Sequence, residues 1–208
     1  MTRTSVLLSL ALWGPGTAMA QGSTAQTQDK PVETFNEIER GFYLGVTAGP
    51  WFVLNPPAGP GSSSPFSPGQ MAQVEAGLDI GERLSFALFL MGSANRAGSE
   101  YTGKSNGLAS GDFSAIAPGA VVRANLVGFN DAQDVKRTWV YLRAGAGYMM
   151  FSPKPLLLDP ELLVFGGSGV EYYTRLRHFS VGLEVSGAFL LPSATVGFAV
   201  TPSLRYAF

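Results

Sequence analysis

Acid–base and nucleophilic chemistry have little to work with in this chain. There is one histidine, His178, and no cysteine. Hydrolysis by a serine or threonine needs a base beside the nucleophile, most often histidine. His178 stands instead beside Arg175 and Arg177, and the sequence contains no G-x-S-x-G, H-E-x-x-H or acidic calcium-loop pattern. It reads as a turn residue at a membrane interface. The run Gly166-Gly167-Ser168-Gly169 invites comparison with a phosphate cradle, but it lies inside an alternating stretch, where glycines relieve crowding or mark a bend. The sequence therefore assigns no catalytic, cofactor-binding or metal-ligating residue, and it predicts a protein that is not an enzyme.

The chemistry that remains is ion pairing. Glu75, Asp79, Arg123, Arg143, Glu171, Glu184 and Arg205 each stand on the small or polar side of an alternating segment. Charges facing a common interior must be paired and hydrogen-bonded, because an isolated charge withdrawn from water is very costly. These residues are expected to form a salt-bridged network that stiffens whatever encloses it. A proton or ion path is the other use for such a row, and the spacing gives it no support.

The elements that carry these residues are strands with two different faces. Over 195–208, Val196, Phe198, Val200, Pro202, Leu204, Tyr206 and Phe208 fall on one side, and Thr195, Gly197, Ala199, Thr201, Ser203, Arg205 and Ala207 on the other. A period of two is a strand. Such separation over roughly 9–11 residues is what a tilted transmembrane strand requires, apolar toward lipid and small or polar toward the lumen. The pattern recurs over 42–53, 71–80, 84–90, 116–126, 139–150, 162–173 and 179–190. In 84–90 the inner face, with Ser85, Ala87 and Phe89, is less polar than elsewhere. The fold class predicted is all-β: an eight-stranded antiparallel up-and-down transmembrane barrel. A barrel of that size is filled by its own side chains, so the charge network is expected to plug it.

Connector lengths suggest an orientation. With both termini in the periplasm, 54–70, 92–115, 151–161 and 191–194 face outward, and 81–83, 128–138 and 174–178 face inward. Most outer connections are then long and rich in Pro, Gly or Ser, and two inner ones are tight, as in outer-membrane barrels. Aromatics near the strand ends are candidates for two interface girdles. At the inner rim these are Phe42, Tyr172, Phe179, Tyr206 and Phe208; at the outer rim they are Phe52, Tyr148 and Phe189. The third outer connection holds Leu156, Leu157 and Leu158 between prolines. Prolines prevent strand pairing and exposed leucines are costly in water unless covered, so these three residues form a candidate partner-binding loop.

A basic start at Arg3, an apolar stretch over 5–13 and Ala18-Met19-Ala20 predict a cleaved signal peptide over 1–20. The apolar stretch is far shorter than the ~20 residues of a spanning helix. Residues 21–40 read as a periplasmic lead with a helical turn around 32–40, which leaves 41–208 as the barrel. Charged residues are only 14% of the chain and the net charge is −1, whereas a soluble domain carries about a quarter charged residues. A near-neutral balance without basic clusters excludes nucleic acid as a partner. The expected partners are outer-membrane lipid and the barrel-assembly machinery, in the bacterial outer membrane. The closing Tyr206-Ala207-Phe208 resembles the C-terminal signal by which such barrels are recognised for assembly.

The segments GFYLGVTAGPWF, YLRAGAGYMMFSPKPLLLDPELLVFGGSGVEYYTRLRHFSVGLEVSGAFLLP and SLRYAF resemble the myxobacterial adventurous gliding motility barrels of the CglE type over about residues 41–208. The resemblance implies a non-enzymatic component of a cell-envelope gliding motility and adhesion machinery, working with other outer-membrane or periplasmic motility proteins. It brings no active-site residues with it. The alternative for the same barrel is a narrow pore or a carrier of a hydrophobic ligand.

Overall fold

Strands that are apolar on one face and small or polar on the other can hide the second face only by closing around it. The computed structural model describes residues 38–54, 67–96, 112–152, 160–176 and 178–208. Within them lie β1 (Phe42–Val53), β2 (Ser67–Ile80), β3 (Leu84–Arg96), β4 (Asp112–Asn130), β5 (Lys136–Ser152), β6 (Glu161–Tyr173), β7 (Phe179–Leu191) and β8 (Thr195–Ala207). Each pairs antiparallel with its sequence neighbours, and β8 returns to β1 to close the barrel. Closure sets Leu44 opposite Tyr206 and Phe52 opposite Phe198. It leaves no open edge and satisfies the strand backbone without water. No helix of the described residues is long and apolar enough to cross a membrane. Residues 1–37, with the predicted signal peptide and most of the lead, lie outside the described residues, as do Leu156, Leu157 and Leu158. Residues 38–40, the end of the expected helical turn, form no helix.

The two faces divide as the alternation requires. Leu44, Val46, Val74, Leu88, Leu90, Val122, Leu142, Leu183 and Leu204 are exposed on the outer wall, while Thr47, Gln73, Ser85, Thr201 and Arg205 are buried inside. A continuous apolar belt of this kind would drive aggregation in water and suits hydrocarbon.

Several strands are longer than the alternation predicts. β4 runs from Asp112 to Asn130 rather than over 116–126. Its register against β5 slips between Asn125 and Val127, so Leu126 and Val127 are both exposed and Phe129 follows them outward. One inserted residue exchanges the faces of everything after it, which conceals the rest of the strand from a period-two reading. β3 continues through Gly92, Ser93, Ala94 and Asn95, all laddered to β4, where small residues on both faces erase the contrast. β2 begins at Ser67 rather than 71, and a register shift there accommodates Pro68 at the strand end. The second outer connection is therefore 97–111 and the second inner turn 131–135, so all three turns at the rim where β1 starts and β8 ends are short. Phe151 and Glu161, expected in the third outer connection, are strand residues with buried side chains.

The 131–135 turn is organised by Asp131. Its carboxylate accepts hydrogen bonds from the Gln133 N–H at 2.9 Å and the Val135 N–H at 3.1 Å, and Arg137 Nε pairs with it at 2.7 Å. Against the penalty of desolvation, the hydrogen bonds from Val135, Gln133 and Arg137 hold the carboxyl below its ordinary value of 3.8. A depressed native pKa stabilises the fold above the unfolded value, and that contribution disappears as pH falls through the native one. Asp131→Asn should therefore lower the melting temperature of the detergent-folded barrel at neutral pH, with the gap to wild type closing below about pH 4. Circular dichroism melts across that range read the effect, and a gap that stays constant into acid would place the contribution elsewhere.

Candidate functional site

Arg123 and Arg143 are direct cross-strand partners on β4 and β5, an arrangement that repels unless each finds its own anion. They turn apart. Arg123 pairs with Glu171 on β6. Arg143 holds Glu184 on β7 and Glu75 on β2, each at 3.0 Å, so one guanidinium ties β5 to β2 across the lumen. Arg205 on β8 pairs with Asp79 on β2. All seven charged residues singled out in the sequence thus meet inside the barrel.

Neighbouring groups satisfy much of what the ion pairs leave open. Ser180 Oγ donates to Glu171 at 2.6 Å, Tyr141 Oη to Glu184 at 3.1 Å and Gln73 Nε2 to Glu75 at 3.3 Å. The Tyr43 ring centroid lies 3.5 Å from the Arg205 guanidinium and that of Tyr141 3.8 Å from Arg123, placing cations on aromatic faces. Two glycines make room for this packing. A Cβ at Gly45 would fall 2.8 Å from Glu75 Cγ, and one at Gly169 would fall 2.6 Å from Tyr141 Cζ. Within the glycine-rich run of β6, Gly169 thus serves close approach.

Toward the end that carries the outer connections, the interior changes character. Trp51, Met71, Phe89, Met91, Met149 and Leu163 form a buried apolar cluster, with Phe89 edge-on to Phe165 at 5.4 Å. Sequence reasoning registered this only as the less polar inner face of β3. The level at which each inward side chain sits depends on register: Phe89 lies level with Gly119, and Gly119 with Gly147, so a large ring occupies the space two glycines leave. Two cavities of about 20 Å³ each flank Arg143, one reaching Arg123 and Arg205, the other Met91 and Leu163. Each has room for about one water.

The rim where β1 starts and β8 ends is bridged by residues that belong to no motif. Arg40 donates to the Glu82 carbonyl at 3.2 Å and lies 5.6 Å from the Trp139 ring centroid and 5.4 Å from that of Tyr173. It brings a fourth cation to the mouth of a column whose ion pairs join four acids to three bases. Nothing local in the sequence marks it, since its partners lie on β5, β6 and the β2–β3 turn. His178 Nδ1 lies 2.8 Å from the Ala207 carbonyl and 2.9 Å from Glu39 Oε2, and its ring stacks on Tyr206 at 5.2 Å. Both Nδ1 partners are acceptors, so that nitrogen carries the proton. The histidine fastens the residues before β1 and the end of β8 to the β6–β7 turn. Tyr206 and Phe208 join the same rim, with Tyr206 4.9 Å from both Phe179 and Phe208, and Phe208 5.4 Å from Phe42. At the opposite rim Phe52 stacks on Phe198 at 4.5 Å.

No protein-family profile matches the chain, and no curated protein does. Among solved structures it is similar to Neisserial surface protein A, at 16% identity over 81% of this chain and 97% of that one, with a TM-score of 0.59. It is also similar to OprG from Pseudomonas aeruginosa, at 10% identity over 83% and 99% of the two chains, with a TM-score of 0.52. The outer membrane enzyme PagL aligns at 11% identity over 80% and 99%, with a TM-score of 0.44, too remote to carry an argument about activity. At these identities the likeness establishes the fold, a closed eight-stranded antiparallel barrel of the outer-membrane type. It does not bear on gliding motility.

Arg143→Ala would leave Glu75 and Glu184 without their cation, and breaking one side of a buried ionic cluster costs about 3–5 kcal/mol. Replacing all three residues with apolar side chains of similar volume should recover most of that loss, because no stranded charge remains. Urea unfolding in lipid vesicles measures both variants. Equal destabilisation by the single and triple changes would contradict this account of the cluster.

Proposed function

We propose that this protein is a sealed, non-enzymatic barrel of the bacterial outer membrane that anchors its outer loops for a cell-envelope gliding motility and adhesion machinery. The observation that carries the proposal is the filled lumen, in which Arg143 spans from β5 to Glu75 and Glu184 with an apolar cluster stacked beyond it. A barrel that neither conducts nor encloses a ligand is left with its two ends as working surfaces. The apolar outer belt and the outer-membrane fold support the location, with lipid around the wall. The closing Tyr206 and Phe208 are the proposed recognition signal for the barrel-assembly machinery.

The motility role rests on the resemblance to the CglE-type barrels. The proposed partners are other outer-membrane or periplasmic motility proteins, meeting the loop that carries Leu156, Leu157 and Leu158. A narrow pore or a carrier of hydrophobic ligands is the competing reading. Ligand pockets usually measure roughly 300–1,000 Å³, whereas the cavities beside Arg143 are about 20 Å³ each. Against catalysis, His178 is held at Nδ1 by Ala207 and Glu39, and among the described residues no serine or threonine hydroxyl bonds its ring to make a nucleophile–base pair.

Deletion of the gene should abolish single-cell gliding on a firm surface, and the wild-type chain should restore it. A Leu156→Ser, Leu157→Ser, Leu158→Ser chain should fold and reach the outer membrane without restoring motility or crosslinking to partners. Normal gliding by the deletion strain would overturn the motility role; a fully motile triple variant would remove this loop from it.

A further inference from the structure

Glu161 opens β6 at the end of the barrel that carries the outer connections, and it is 0% exposed. The four carboxylates of the central network each touch an arginine. Among the described residues Glu161 has no such counter-charge. Its Oε2 accepts a hydrogen bond from Ser193 Oγ at 2.5 Å, and its Oε1 has no hydrogen-bond partner. Ser193 Oγ in turn lies 2.9 Å from Thr195 Oγ1, and Thr195 is buried as well. The surroundings are apolar, with Met149 level with Glu161 and Leu190 level with Thr195.

A buried carboxylate is costly unless it is paired, coordinates a cation or takes up a proton; one serine hydrogen bond supplies no opposite charge, and the hydroxyls gathered beside Glu161 are oxygen donors of the kind that complete a cation's shell. The cluster is also not sealed from outside. Ser193 is only half-buried and sits in the short turn between β7 and β8, so an ion can arrive from the solvent at that rim. We propose that Glu161, Ser193 and Thr195 form a binding site for a small hard cation of the calcium class. Carboxylate and hydroxyl oxygens are the donors such ions take, with water and backbone carbonyls completing the shell. An all-oxygen set does not suit metals that prefer thiolate or imidazole. The site joins the first residue of β6 to the β7–β8 turn, so occupancy would order the rim from which the outer connections spring. The proposal is independent of the motility role.

The test uses the full barrel refolded in detergent and stripped with a chelator. Calcium chloride is titrated by calorimetry, and melting is compared in chelator, calcium and magnesium. Wild type should bind one calcium per chain and melt several degrees higher with it, with a smaller response to magnesium, which keeps its own waters and demands stricter geometry. Glu161→Gln should abolish binding and the shift. Ser193→Ala, which removes the hydrogen bond orienting Glu161, should fold normally and weaken calcium binding by about tenfold or more, which keeps the test decisive if the Glu161 variant does not fold. An absence of calcium binding by wild type, or an unchanged response in Glu161→Gln or Ser193→Ala, would overturn the site.

Discussion

One guanidinium in the middle of the lumen links distant strands of the barrel and constrains their register. Arg143 faces Arg123 across the β4–β5 ladder, and the repulsion is relieved because each turns to different carboxylates on distant strands. That solution works in a single register. A slip of one residue in any strand that carries a partner would send its charge into the lipid belt and a leucine or valine into the ionic column. The ion pairs therefore do more for specificity than for net stability, since buried pairs seldom outweigh their own desolvation. Their positions on six of the eight strands tie nearly the whole wall to one arrangement.

The lumen divides into two halves with different physics. Toward the rim where β1 starts and β8 ends it is ionic, with Arg40 beside the rings of Trp139 and Tyr173. Toward the outer connections it is an apolar core of the kind found in soluble domains, turned inward, with Phe89 and Trp51 packed against small residues of neighbouring strands. Side chains fill both halves. Where they differ is in what an isolated polar group would meet: Glu161 and Asn95, toward the outer connections, keep side-chain atoms without a hydrogen-bond partner among the described residues.

Much of this was legible in the chain because a transmembrane barrel has to write its two faces as strict alternation. Strand number, closure and the inward set from Glu75 to Arg205 follow from a period of two. What was not legible depends on register. The bulge at Leu126 exchanges the faces of β4, so the alternation stops there and Phe129 reads as belonging to a turn until β5 is laid beside it. The apolar plug escaped because a single strand does not reveal which of its inward residues share a level with a neighbour's glycine. Arg40 lies in a segment without alternation, and the proline-rich stretch before Glu161 masks where β6 begins.

The central claim is that the barrel is sealed, and electrical recording tests it most directly. Purified wild-type protein reconstituted into planar bilayers should give no stable conductance above the lipid baseline across the range of voltages the bilayer withstands. Reproducible unitary channel openings that scale with the amount of folded protein would show a water path through the lumen, and would contradict both the plug and the functional reading built on it.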